Sequence, residues 1–343
     1  MDAEYENISI EISNETFDGD FYLGLKSDTT TDRTFKIIFY SILMMFGIFG
    51  NLSVVLVICK SKQLRTKFNF YIVNLAVADF FMAVFCTWIH LVSSLHPEQW
   101  TLGKLICKTH NFVQVTTVCC SVFTLTTVII DRFIAVVSPG CLWITQKCQP
   151  VNAVIIWLLS FAVATPWLIF QYYAAFDWIG GHEVVCQSKF PSALSKKAYY
   201  VSFFVLVFLF PVLLMFSLLV VAVIKSNTVR PNGTLATECF KRAQRKAHFL
   251  LLTVLIMFCV SWAPQQSLLL WDIYRDIHEK PPGIKTVHFV ALYLAYSSSA
   301  VNPILYFVFN KCARASLWNI VTCRRNRSAV AVHPEPSPHH QDV

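Results

Sequence analysis

The chain has 343 residues, of which 55% are hydrophobic, 15% aromatic and only 14% charged. A soluble domain carries about a quarter charged residues, so this deficit excludes an ordinary water-soluble fold and points to burial in a membrane. The formal net charge of +8 does not mark a nucleic-acid partner, because the basic residues fall in short clusters and no basic face is long enough to track a phosphate backbone.

Residues 1–34 read as a polar, acidic tail, with nine Asp and Glu against Lys26 and Arg33. It lacks a basic stretch followed by an apolar core, so the expectation is no cleaved signal peptide, with the first apolar run directing insertion. Asn7-Ile8-Ser9 and Asn14-Glu15-Thr16 are glycosylation sequons, usable if the tail lies outside the cell. Seven apolar segments follow, at 35–59, 70–93, 104–137, 151–173, 198–224, 247–271 and 286–309. Each reaches the length of about 20 residues that a spanning helix needs.

Alternate connections set the orientation. The first carries Lys60, Lys62, Arg65 and Lys67, and the segment-five-to-six connection carries Lys225 and Arg230. Segment six opens with Lys241, Arg242, Arg245 and Lys246, and the chain after segment seven has Lys311, Arg314, Arg324, Arg325 and Arg327. The other connections are less basic and hold Glu98, Asp177, Glu183, Asp276 and Glu279. The positive-inside rule then predicts an extracellular N-terminus and a cytoplasmic C-terminus. Of the 12 cysteines, only Cys107 and Cys186 fall outside or at the outer boundary, which predicts one disulfide tying the 174–197 loop to the third helix.

The third segment concentrates the informative positions. From Cys107 to Arg132 it spans roughly 37 Å as a helix. Gln114, Ser121, Leu125, Val128 and Arg132 share one of its faces. Asp131-Arg132-Phe133 sits at its inner end. In the second segment, Asp79 would cost about 2.5–3.5 kcal/mol at mid-membrane, so it should face the bundle and be partnered. Asn51, Ser121, Ser298 and Asn302 are candidate partners. The pocket would suit a small hard cation such as sodium, held by Asp79, Ser121 and Asn302; a hydrogen-bonded polar core without an ion, or a protonated Asp79, satisfies the same residues. Pro166, Pro211, Pro264 and Pro303 fall mid-segment, each removing a backbone hydrogen bond. Phe258 and Trp262 beside Pro264 form either a lever at a hinge or aromatic packing at a kink.

Residues 310–323 form an amphipathic pattern, with Ala313, Leu317, Ile320 and Val321 on one side, as in a membrane-surface helix. Cys323, with Cys312 as a second candidate, is placed for palmitoylation or stays a free thiol. Residues 324–343, with three prolines, are expected to be a disordered cytoplasmic tail.

In order along the chain stand Gly50-Asn51, Asn74-Leu75-Ala76-x-Ala78-Asp79, Cys107, Asp131-Arg132-Phe133, Trp157, Pro211, Phe258-x-x-Ser261-Trp262-x-Pro264 and Asn302-Pro303-Ile304-Leu305-Tyr306. Together they resemble the rhodopsin-like (class A) G-protein-coupled receptors over about 35–323. The resemblance implies an all-α seven-helix transmembrane bundle with a short eighth helix, in the plasma membrane. It implies that Asp131, Arg132, Phe133, Phe258, Trp262, Pro264, Asn302, Pro303 and Tyr306 carry the activation switch and G-protein coupling, with arrestin a further partner. Asp131 would hold Arg132 at rest, Tyr306 would swing inward on activation, and Asp79 would hold an allosteric sodium ion, with no other cofactor. Three positions depart from the pattern. Gln244 replaces a Glu that locks Arg132 in some members, Leu219 a supporting Tyr, and Gly140 a bulky apolar residue for a G-protein socket.

Amine receptors of this family place Asp where this chain has Gln114, and opsins carry a lysine in the outer half of the seventh helix that is absent here. Gln114 and Trp100-Thr101-Leu102-Gly103 resemble the neuropeptide-receptor branch. An open vestibule for a peptide needs aromatic and hydrogen-bonding groups, and Trp88, His90, Gln114, Gln171, Gln265, Gln266, Trp271 and Asp272 are the candidates. The acids of the tail and outer loops would attract a cation, so the expected ligand is a short neuropeptide, basic or amidated. The rival within the family is a lipid or other small-molecule ligand. An enzyme is not expected, since no nucleophile–base pair, metal-spaced His/Cys set or phosphate loop is found, and a transporter would show broken helices with charges in several spans.

Overall fold

The computed structural model describes residues 29–96, 99–137, 149–178, 181–228, 235–274 and 283–322. Seven long helices are apolar enough to cross a bilayer. Helix α1 runs Thr30–Lys60, α2 Lys67–Leu95, α3 Gly103–Val137 and α4 Gln149–Phe170. A hairpin of β1 (Gln171–Trp178) and β2 (Gly181–Ser188) follows. Helix α5 runs Ala193–Ser226, α6 Leu235–Tyr274, α7 Ile284–Phe309 and α8 Lys311–Val321. The fourth segment was expected to continue to residue 173, but the helix stops at Phe170. Gln171, Tyr172 and Tyr173 instead pair with Ser188, Gln187 and Cys186. The aromatic-rich run after Phe170 suits a pleated ladder better than another helical turn.

The flanks are inverted relative to a soluble protein. Phe35, Ile38, Ile42, Phe49, Leu52 and Leu56 are all exposed along α1 at steps of three, four and seven, so they form one outward stripe. Leu206, Phe210, Leu213 and Phe216 do the same on α5. An apolar flank of this extent is stable only against lipid tails. The interior holds the polar side chains: Asn51, Asn74, Asp79, Thr124, Ser160 and Gln266 are all buried.

Local backbone irregularity follows from the sequence. π-Helical turns at Phe46–Gly50, Ala83–Thr87 and Phe204–Leu209 interrupt α1, α2 and α5. Pro211 lies just after the third, where its missing N–H removes a ladder bond that a regular helix would need. Pro166, Pro264 and Pro303 sit inside α4, α6 and α7. The α1 turn also permits close approach, because a Cβ at Gly47 would stand 2.8 Å from that of Ala83, and one at Gly50 3.0 Å from Pro303.

Helix α8 begins where Asn310 accepts a hydrogen bond from the Ala313 N–H at 3.0 Å. Ala313, Leu317 and Ile320 pack on a cluster with Val54, Val57, Ile58 and Tyr306, while Val321, expected on that same side, is exposed beside Trp318. The Asn7 and Asn14 sequons, Cys323, Gly140 and the 324–343 tail lie outside the described residues.

Gly47→Ala should force α1 from α2 at the Ala83 contact. The expected cost is about 1–3 kcal/mol, measured as a lower thermal unfolding midpoint of the purified chain. An unchanged midpoint would mean the approach is looser than the structure has it.

Candidate functional site

At mid-depth, Asp79 receives a hydrogen bond from Asn302 Nδ2 at 2.7 Å and one from Ser121 Oγ at 3.5 Å. Of the other expected partners, Asn51 instead donates to the carbonyls of Gly47 (2.8 Å) and Ser299 (3.0 Å), stitching α1 to α7. Ser298 donates to the Ala295 carbonyl and receives the Trp262 indole N–H at 3.1 Å. Ser299, which the sequence reading passed over, lines the space beside Asp79. Two small cavities of about 20 Å³ each adjoin Asp79 and share Leu75, Leu125, Val254 and Asn302 as walls. Oxygen donors around a single carboxylate fit a monovalent hard cation rather than a transition metal. No group of three or more His, Cys, Asp or Glu capable of holding a metal occurs among the described residues.

Above this layer, Phe258 and Trp262 pack with tilted rings at 6.2 Å between centroids, and Phe208 of α5 adds a third ring at 6.0 Å from Phe258. The Trp262–Ser298 bond joins α6 to α7 between Pro264 and Pro303. A second polar strut ties three helices, with Trp157 Nε1 donating to Asn74 at 3.0 Å and Asn74 donating to Thr124 at 2.8 Å.

Toward the outer end, six polar side chains form a chain of contacts. His90 Nε2 meets Gln114 Oε1 at 3.3 Å, and the His90 ring lies 4.7 Å from His110 and 4.9 Å from Tyr296. His110 Nδ1 meets Asn111 Oδ1 at 3.1 Å, and Asn111 donates to Gln171 at 3.0 Å. Gln171 donates to Cys186 Sγ at 3.1 Å, and Lys108 donates to its carbonyl. Cys107 and Cys186 form the expected disulfide, with Cα atoms 5.8 Å apart. His110 Nε2, Tyr296 Oη, Gln265 Oε1 and Gln266 Oε1 are buried with no hydrogen-bond partner. Unpaired polar atoms of this kind are costly unless water or a ligand meets them.

The sequence-predicted ligand residues therefore divide. His90, Gln114 and Gln171 are brought into one network, and Gln265 and Gln266 present unpaired oxygens from α6. Trp88 is partly buried on α2, while Trp271 is more than half exposed. Asp272 turns to His288, at 2.7 Å between Nε2 and Oδ2 on the rim. His110, Asn111, Tyr296 and His288 were missed. Position alone could have flagged the first two, which follow Cys107 by three and four residues and so return to its face. The rim lysines were also undervalued. Lys36 stands over Phe289, Lys189 over Tyr172 and Lys197 over Tyr274, each with the cation 5.3–5.4 Å from the ring centroid.

At the opposite end, Arg132 and Asp131 pair loosely at 3.7 Å. Phe133, next along, is partly buried. Tyr306 is buried and donates to Asn69 Oδ1 at 3.3 Å. Leu219, in the Tyr position, is fully buried with Met215, Leu251 and Leu255, so α5 and α6 close here through apolar contact.

A bundle of seven spanning helices, hydrogen-bonded inside and apolar outside, with a disulfide-pinned hairpin joined to a network of polar side chains, defines a multi-pass membrane receptor. Residues 50–306 match the 7 transmembrane receptor (rhodopsin family) model. The chain belongs to that family, the class A G-protein-coupled receptors, and is a signalling receptor rather than an enzyme. It is 30% identical over 294 residues to "G-protein coupled receptor 54" of Oreochromis niloticus, covering 82% of this chain and 77% of that one. It is 26% identical to a QRFP-like peptide receptor of Branchiostoma floridae (86% and 79% covered). To the neuromedin-K receptor of Oryctolagus cuniculus it is 29% identical, covering 80% of this chain and 59% of the relative.

Proposed function

We propose that this chain is a plasma-membrane receptor for a short neuropeptide, with its N-terminus outside, its C-terminus inside, and heterotrimeric G proteins as its cytoplasmic partners. The observation that carries the reading is the outer polar network from His90 to Gln171 under the hairpin, with unpaired oxygens on Gln265, Gln266 and Tyr296. A peptide backbone supplies alternating donors and acceptors for such a surface, whereas a lipid would leave it unsatisfied. The similarity to a QRFP-like peptide receptor and to the neuromedin-K receptor supports the same class. Within that class, a neutral hydrogen-bonding floor and a rim lined by lysines favour an amidated peptide over a strongly basic one. Arrestin is the second cytoplasmic partner in this reading, Asn7 and Asn14 are glycosylated, and Cys323 is palmitoylated.

Arg132, released from Asp131, would meet the G protein, with Asp131 and Phe133 framing it. Phe258, Trp262 and Pro264 would relay movement at the cavity to the Asn302-Pro303 turn and Tyr306. A sodium ion held by Asp79, Ser121 and Asn302 would favour the resting arrangement. Its support is the gathering of Ser121 and Asn302 on the Asp79 carboxylate, with Ser299 lining the space beside it.

Cells bearing the receptor should respond to a peptide extract and not to a lipid extract, in a readout that does not depend on G-protein subtype. Protease treatment should abolish the response; survival after proteolysis, or a response confined to the lipid extract, would favour the rival ligand. Replacing Asp79→Asn should remove any sodium dependence of agonist affinity, and an unaltered sodium dependence would refute the ion site.

A further inference from the structure

We propose that Phe68, at the start of α2, is the residue that keeps Arg132 withdrawn in the resting receptor, taking the place of an acidic partner on α6. This rests on the reading of Arg132 as the G-protein contact. The Arg132 guanidinium carbon stands 5.0 Å from the centre of the Phe68 ring, within the range of a cation–π contact. Its ionic contact to Asp131 is long, at 3.7 Å, and comes from the adjacent residue of the same helix. Its Nε is buried with no hydrogen-bond partner. An arginine offers five donors in a planar fork, and a single stretched pair leaves most of the head group to be held some other way.

Among the described side chains, the half of α6 nearest Arg132 presents no carboxylate. On α6, Gln244 makes no hydrogen bond to Arg132 among the described residues, and the next turn brings His248, which is buried with its Nδ1 unpaired. Histidine carries no negative charge in either protonation state, so it supplies no counter-ion to Arg132. Phe68 is itself fixed. It packs against the apolar cluster that includes Tyr71, Leu75, Val128, Ile129, Leu251 and Leu255. Thr66 caps the helix ahead of it by accepting the Asn69 N–H. An anchored ring against a partly desolvated guanidinium is the geometry in which the interaction is strongest. Arginine retention and α6 closure are thereby separated: α2 holds the cation, and apolar contacts around Leu219 and Leu251 hold α6. Phe68 is a positioning residue, acting through Arg132.

The test compares full-length receptor with Phe68→Leu, which keeps the apolar volume, and with Phe68→Trp, which keeps a ring. The first readout is the side-chain Nε–Hε resonance of Arg132 in purified receptor, assigned with Arg132→Lys. The second is agonist-free nucleotide loading across a panel of G proteins at matched receptor amounts, with Asp131→Ala as the positive control. The resonance should be shifted upfield by the ring in the wild type, lose that shift in Phe68→Leu and keep it in Phe68→Trp. Basal loading should rise about fivefold in Phe68→Leu, the equilibrium shift expected of one such contact, and stay near wild type in Phe68→Trp. A resonance indifferent to Phe68→Leu, or wild-type loading in Phe68→Leu while Asp131→Ala gains, would overturn the proposal. If no variant, the control included, loaded any G protein, the coupling reading would fail, and the resonance would still decide where Arg132 is held.

Discussion

A carboxylate enclosed by apolar helices is the constraint from which most of this architecture follows. Asp79 is buried on α2, and a charged or even polar group at that depth must find its partners inside the bundle. It finds them on α3 through Ser121 and on α7 through Asn302. Those bonds fix the rotation of α2, α3 and α7 about their long axes. Once these are set, Asn51 reaches the Ser299 carbonyl, Asn74 reaches Thr124 and Trp157, and Trp262 reaches Ser298. In a membrane, where burial of apolar surface does not distinguish one helix packing from another, such bonds and close small-residue contacts decide the arrangement. The Gly47–Ala83 and Gly50–Pro303 approaches supply the second kind.

The same constraint places weak points along α6 and α7. Proline interrupts both helices near the Trp262–Ser298 bond, and the two cavities beside Asp79, each with room for about one water, leave the packing there incomplete. Below them the α5–α6 contact is apolar, from Met215 and Leu219 to Leu251 and Leu255. A ligand that changes the outer network therefore acts on a bundle that is tightly bonded at one depth and only packed at another.

Much of the fold was legible in the chain because membrane spans announce themselves by length and apolarity, and because a buried Asp or Arg has few ways to be accommodated. The seven helices, the eighth, and the Cys107–Cys186 bridge could all be read this way. Partner choice was not. Ser298 and Ser299 are neighbours in sequence, and only the rotation of α7 decides that Ser298 meets Trp262 while Ser299 lines the Asp79 cavity. The end of α4 was misplaced because apolarity continues past Phe170, and the strand pairing with β2 is a long-range choice. His110, Asn111 and Phe68 carried no motif; their roles arise from what α2, β1 and α3 respectively bring next to them.

The account stands or falls on whether Asp79 and Asn302 are energetically one unit. A double-mutant cycle with Asp79→Ala, Asn302→Ala and the pair, read by equilibrium unfolding of the purified receptor, measures this directly. Coupling of about 1.5–3 kcal/mol is expected for a buried bond to a carboxylate. Additive effects, with coupling below about 0.5 kcal/mol, would mean that α2 and α7 are oriented by something else.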